Sequence, residues 1–293
     1  MPAVVSEGRA PRGVVVVDSR ASSLEGALAE IVDALADTAV DARAWAFVAL
    51  ATRHHASDPL RDGLASLTGG APLLVIETHG LAVAPTLDEE GPRLVVVAIA
   101  DEAARAQRAA FDDDGPSATA RLLEGGAMGR LCLLSSTLSS DGLAQTLLPS
   151  LDEQGALVVG AHATAAESET GALFLSRGRV LVAIASARAS TVDDAPSAPD
   201  ARVARAELEQ ALHAIVGEAR ARVPRLALVF TSRARDAGFW GVQGYDHERV
   251  VDVLLSLTVP IVTATVDAVC ASSDEGAVVL ADGCVIAILV EDA

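Results

Sequence analysis

Two stretches of this chain align without a gap, and they limit its fold more than any other feature. Gly171–Ala185 reads GALFLSRGRVLVAIA and Gly276–Val290 reads GAVVLADGCVIAILV. Each is an apolar run, a short polar break containing Gly, and a second apolar run. That is the pattern of a β-hairpin whose turn uses Gly for positive φ. The elements ahead of each also match. Leu131–Leu134, a helical stretch over Asp141–Leu151 and Leu157–Val159 precede the first. Leu226–Phe230, a helical stretch over Asp246–Leu257 and Pro260–Val262 precede the second. Trp45–Ala51, a helix around Pro59–Leu67, Leu73–Ile76 and Arg93–Ala100 supply an earlier copy. Short apolar runs bounded by Gly, Pro and hydroxyl residues read as strands, and the periodic stretches between them as helices. The expected fold is α/β, a β–α–β–hairpin unit used three times. Copies about 90 residues apart are too widely spaced for a solenoid.

A strand at Val14–Val17 and a helix over Leu24–Thr38, with Leu24, Leu28, Ile31, Val32 and Leu35 at helical spacing, stand before the first copy. Ser190–Asp200 (STVDDAPSAPD) has the composition of an exposed linker. A boundary near residue 195 is therefore expected. It leaves an N-terminal domain, 1–195, with two units and a smaller domain, 196–293, with one, the latter opening on a helix over Val203–Val223. Asp112–Ser117 (DDDGPS) reads as a surface loop.

The net charge is −18, and all 22 Lys/Arg-type cations are Arg. Such a surface repels nucleic-acid phosphates and anionic lipid, so neither is an expected partner. A chain without Lys has no Schiff-base lysine, no Walker-type phosphate lysine and no Ser–Lys dyad. No apolar run reaches the roughly 18–20 residues of a membrane-spanning helix. Met1–Gly13 carries Glu7, Arg9 and Arg12 where a secretory signal has its apolar segment, so a cytoplasmic location is expected. Of the three cysteines, Cys132 and Cys284 fall in strand-like runs and Cys270 in a loop-like stretch. The absence of a Cys-x-x-Cys spacing favours neither a disulfide framework nor a zinc site.

In open α/β sheets, ligands bind beyond the carboxyl ends of the strands. The first strands of the three copies end in Thr52/Arg53/His54, Ser135/Ser136/Thr137 and Thr231/Ser232/Arg233. The second strands lead into Glu77/Thr78/His79, His162/Thr164 and Thr265/Asp267. Matching the copies sets His79, His162 and Thr265 at equivalent positions. The candidate ligand-binding residues are Arg233, Arg235, Ser232, Thr265, His79, His162 and Glu77. A guanidinium fork fits a carboxylate. The plainer reading has Ser and Thr capping the next helix and the arginines pairing with acidic neighbours. No cofactor is expected. There is no His-x-x-x-His pair for a metal, no Gly-x-Ser-x-Gly elbow and no Gly-x-Gly-x-x-Gly after a strand. Phe239, Trp240 and Tyr245 cluster in GFWGVQGY, where packing under the loop competes with a lid or a dimer contact.

Ala44–Leu81, Ala156–Ala185 and Ala227–Arg233 (ALVFTSR) together resemble the FIST family of bacterial ligand-sensing proteins. Ile76, Glu77 and Thr78 stand where that family often has Gly-Cys-Thr, and Val266-Asp267 where it has Gly-Glu. The resemblance implies a non-catalytic sensory module with a small anion or amino acid held between the two domains. Its signal would pass to a partner protein, and a homodimer is compatible with it. Two other readings stand beside it. One is a hydrolase of unknown substrate: the ring-opening amidohydrolases acting on cyanuric acid and barbiturate share a three-repeat α/β architecture but depend on Ser–Lys dyads. The other is a non-binding assembly subunit pairing through the aromatic loop or an exposed strand edge.

Overall fold

The computed structural model describes residues 3–4, 13–38, 45–55, 58–86, 91–109, 115–128, 130–138, 142–162, 170–176, 179–186, 200–242, 244–273 and 276–291. The chain is α/β, with mixed sheets and helices. Its first strands are β1 (Ala3–Val4) and β2 (Val14–Ser19), followed by helix α1 (Leu24–Asp37). Ser23 caps α1 by accepting the Gly26 N–H. Then come β3 (Trp45–Thr52), α2 (Asp58–Leu67), β4 (Leu73–Thr78), β5 (Gly80–Val83) and β6 (Leu94–Ala100). The first sheet runs β1-β2-β6-β3-β4, with β3 parallel to β4 and antiparallel to β6.

The second stretch holds β7 (Arg105–Ala109), α3 (Gly115–Leu122) and β8 (Leu131–Ser136). A turn of π-helix, Leu143–Leu147, runs into α4 (Leu148–Glu153), and β9 (Leu157–His162) and β10 (Thr170–Leu175) follow. The third holds β11 (Arg179–Ser186), α5 (Ala201–Arg220), β12 (Val223–Ser232), the short α6 (Ala237–Trp240), α7 (Tyr245–Leu254) and β13 (Ile261–Val266). It closes with β14 (Ala268–Ser273), β15 (Gly276–Leu280) and β16 (Gly283–Glu291). Their sheets run β15-β14-β9-β8-β10-β7 and β11-β16-β12-β13-β5.

The two aligned stretches are not hairpins. β10 pairs with β7 and β8, whereas the strand after it, β11, pairs with β16 in another sheet. β15 pairs with β14, and β16 pairs with β11 and β12. In both places the chain crosses between sheets where local pairing is expected. Gly283 accordingly has no positive φ. Its constraint is steric, since a Cβ there would lie 2.6 Å from Leu280 Cβ and 2.9 Å from Val269 Cγ2. Four strands are absent from the sequence reading, the two-residue β1 among them. β5 and β14 leave one sheet and join another, and β7 is a polar edge strand, RAQRA. Cys270 thus lies in β14, fully buried, and not in a loop. Of the expected loop at Asp112–Ser117, Gly115–Ser117 begin α3 and the rest is outside the described residues.

All three sheets turn one face to a shared central core. Ala46, Val48 and Leu50 of β3, Leu131 and Leu133 of β8, and Leu226, Leu228 and Phe230 of β12 meet there. The alternate residues face outward onto helices, as Phe47 and Ala49 do toward the α1/α2 layer. Cys132 and Leu134 face the layer of α3 and α4, and Ala227 and Val229 that of α5 and α7. Strands apolar on both faces show no alternation in sequence, which is why they read as continuous runs.

Strands from either side of residue 195 share two of the sheets. β11 pairs with β16, β5 with β13, and β14 with β9. The segments 1–195 and 196–293 are therefore interleaved, and the expected linker falls almost wholly outside the described residues.

Candidate functional site

The carboxyl ends of β3, β8 and β12 lie where β5 and β14 depart for neighbouring sheets. The parallel registers set Thr52 opposite Thr78, Ser136 opposite His162, and Ser232 opposite Val266. Ala161 and Val266 face the shared core, as Ile76 does two residues before Thr78, so by face His162 matches His79 and Asp267. Asp267, rather than the expected Thr265, then stands at the position of His79 and His162.

His79 and Asp267 are also joined directly. His79 Nε2 lies 2.8 Å from Asp267 Oδ1, and because a carboxylate only accepts, the proton is on Nε2. The His79 N–H donates to the Thr265 carbonyl at 2.7 Å, holding the two crossing segments together. Arg233 Nε reaches Asp267 Oδ1 at 3.0 Å, and Arg53 spans Glu77 at 3.1 Å and Asp267 Oδ2 at 3.8 Å. One carboxylate, only 7% exposed, thus gathers two guanidiniums and an imidazole. The Arg233 side chain is 59% exposed, so it is anchored along one edge with its remaining N–H groups toward solvent.

Arg233 also lines a cavity of about 140 Å³ with Thr231, Asp236, Tyr245, His247 and Thr265. Four of the expected residues, Ser232, Arg233, Arg235 and Thr265, meet there, and Glu77 and His79 adjoin it through Asp267. The lining comes entirely from the C-terminal third of the chain, in contrast to the expected position between two domains. His162 is elsewhere, buried, with Nδ1 3.1 Å from the Ser136 carbonyl. Among the described residues no cluster of His, Cys, Asp or Glu has the grouping of a metal site.

Two of the gathered residues hold the protein rather than a ligand. The fully buried Ser232 hydroxyl faces the carbonyls of Asp267, at 2.9 Å, and Ala281, and accepts the Ala234 N–H at 3.2 Å. Arg235 forms a bidentate pair with Asp246 at 2.7 and 2.9 Å, and both are buried. Burial opposes the Arg235 charge. The hydrogen bonds and charge of Asp246, with Cys284 and Asp282 behind them, outweigh it and leave the Arg235 pKa above the usual arginine value. The Trp240 indole N–H donates to Asp246 at 3.1 Å, and the Arg235 guanidinium lies 5.0 Å from the Trp240 ring centroid. Trp240 also stacks 4.5 Å from Tyr245. The aromatic cluster thus packs over this ion pair.

No family model matches the chain, and no curated protein matches it. Among solved structures, a cyanuric acid hydrolase from A. caulinodans aligns over 99% of this chain and 100% of its own, with 11% sequence identity and a TM-score of 0.46. Likeness at that level assigns neither activity nor ligand.

Sequence reasoning omitted Arg53, Asp236, Asp246 and Asp267 from the site. Arg53 and Asp267 already stood in the strand-end loops.

The cysteines take no part. All three are buried, and burial drives the Cys270 and Cys284 thiols up to about 12 and Cys132 higher still. A thiol-specific reagent at mildly alkaline pH should therefore label none of them in the native protein and all three in concentrated guanidinium chloride. Rapid labelling of the native protein would contradict this burial.

Proposed function

We propose that the protein is a non-catalytic binding module for a small carboxylate, acting as a sensor whose signal passes to a partner protein. The observation that carries the reading is Arg233: half-exposed, fixed at Nε by the buried Asp267, and lining a cavity of single-metabolite size. Fixing one edge of a guanidinium cuts the entropy lost when its other N–H groups grip an anion. Asp236 lines the same cavity, with Oδ1 engaged by the Gly238 N–H at 2.8 Å. An acidic group there suits a ligand that also bears an ammonium, as an amino acid does.

The test is a thermal-shift screen of amino acids and small carboxylates on the wild type and Arg233→Ala. A ligand that binds only the folded state raises the melting temperature, by about 2.7 kcal/mol of stabilisation at a hundredfold excess over Kd. The reading requires a compound that shifts the wild type and not the variant. If nothing shifts the wild type, or both shift alike, it is wrong. The hydrolytic alternative rests on the His79–Asp267 hydrogen bond. It would show as turnover of an amide or ester that His79→Gln abolishes.

A further inference from the structure

The three sheets also meet at the other end of the central core, beyond the amino ends of β8 and β12, and there the core is open. A cavity of about 200 Å³ is walled by Val14 and Ile99 from the first sheet, Leu131 and Leu175 from the second, and Val180 and Leu289 from the third. For scale, an apolar cavity of about 150 Å³ stays dry and accepts benzene. The walls continue the central core, and the mouth is polar.

Arg225 governs that mouth. It lies at an irregularity in the β12–β16 pairing, between Pro224 and Leu226, and a bulge of this kind re-aims the side chain it carries. Its Nη2 pairs with Glu291 at 2.6 Å, and its Nε is enclosed without an acceptor. Glu291 is 47% exposed and free to swing aside. The other acid, Asp101, is occupied by the Ser176 N–H and hydroxyl and by the Ala103 N–H. A guanidinium with unfilled hydrogen-bonding capacity at the rim of an apolar cavity fits a ligand with an aliphatic tail and an anionic head.

We propose that this cavity is a second ligand site, taking a short aliphatic carboxylate whose tail fills the apolar end and whose head replaces Glu291 on Arg225. Exchange of one carboxylate for another keeps the arginine neutralised while adding burial of the apolar tail. Glu291 is then a competitor, and its removal strengthens binding.

Calorimetric titration of the full chain with hexanoate tests this, using wild type, Arg225→Gln, Glu291→Gln and Arg233→Ala, with 1-hexanol as the uncharged probe. Saturable one-to-one binding is expected, weakened at least about tenfold by Arg225→Gln, equivalent to roughly 1.4 kcal/mol. Glu291→Gln, which alters an exposed side chain, should tighten it several-fold, and Arg233→Ala should leave it unchanged. Absence of hexanoate binding, equal binding by Arg225→Gln, or hexanol binding as tightly as hexanoate would overturn the proposal. Loss of hexanoate binding in Arg233→Ala alone would also overturn it, while leaving the Arg233 site standing.

Discussion

Replacing Asp246 with Ala is expected to destabilise the protein by about 3–5 kcal/mol, because it strands the Arg235 charge in the interior. Arg235 has no exposed side-chain surface and Asp246 only 3%. The same change takes the acceptor from the Trp240 indole, so the loop over the cavity should loosen as well. For a chain of this size the midpoint of thermal unfolding should fall by roughly 5–8 °C. A paired Arg235→Met/Asp246→Leu variant should recover most of the loss, since two well-packed apolar groups replace a buried ion pair at little cost. Chemical denaturation of the wild type and the two variants measures both effects. A single-variant loss below about 1 kcal/mol would mean that water reaches the pair.

Gly160→Ala is expected to be more damaging still. A Cβ at Gly160 would fall on the Leu134 carbonyl oxygen and lie 2.8 Å from Leu134 Cβ. Leu134 is its partner in the parallel β8–β9 ladder, at the middle of the six-stranded sheet. Relief requires backbone movement, so a loss above about 4 kcal/mol or failure to yield folded protein is expected. Gly217→Ala supplies the contrast. That glycine lies on the exposed face of α5, and a methyl group added there would have nothing within 4 Å, so alanine should stabilise by about 0.4–1 kcal/mol. Unfolding midpoints of the two variants should move in opposite directions, and an unchanged midpoint for Gly160→Ala would contradict the pairing of β8 with β9.

Much of this fold was legible because its strands are apolar on both faces and its helices are periodic. The α/β class, the cores of β2, β3, β8, β12 and β16, and helices α1, α2, α5 and α7 all follow from that pattern. Pairing was not legible. Consecutive strands are neighbours only about two-thirds of the time, and β10/β11 and β15/β16 are exceptions whose turn residues look like those of hairpins. β7 was missed because a polar edge strand lacks the apolar run, and β14 because its Ala, Cys and Ser residues resemble a loop.

Site legibility divides along the same line. Arg233 was a candidate from its place after a strand, and that place owes nothing to long-range contacts. Its anchor was not found, because Asp267 reaches Arg233 only through the parallel pairing of β12 with β13, which brings together residues 34 apart in sequence (267 − 233). Arg235 was misread for a related reason. Two residues from Arg233 and chemically identical to it, it points inward to Asp246 while Arg233 points outward.

That difference between neighbouring arginines gives the most direct test of the central claim. In an NMR titration with a carboxylate taken from the thermal-shift screen, the Nε–Hε resonance of Arg233, assigned through its loss in Arg233→Gln, should move saturably at the same concentration as the stability effect. The resonances of Arg235 and Arg225 should stay in place. If the ligand stabilises the protein while the Arg233 resonance does not move, the carboxylate is held elsewhere and the proposed site is wrong.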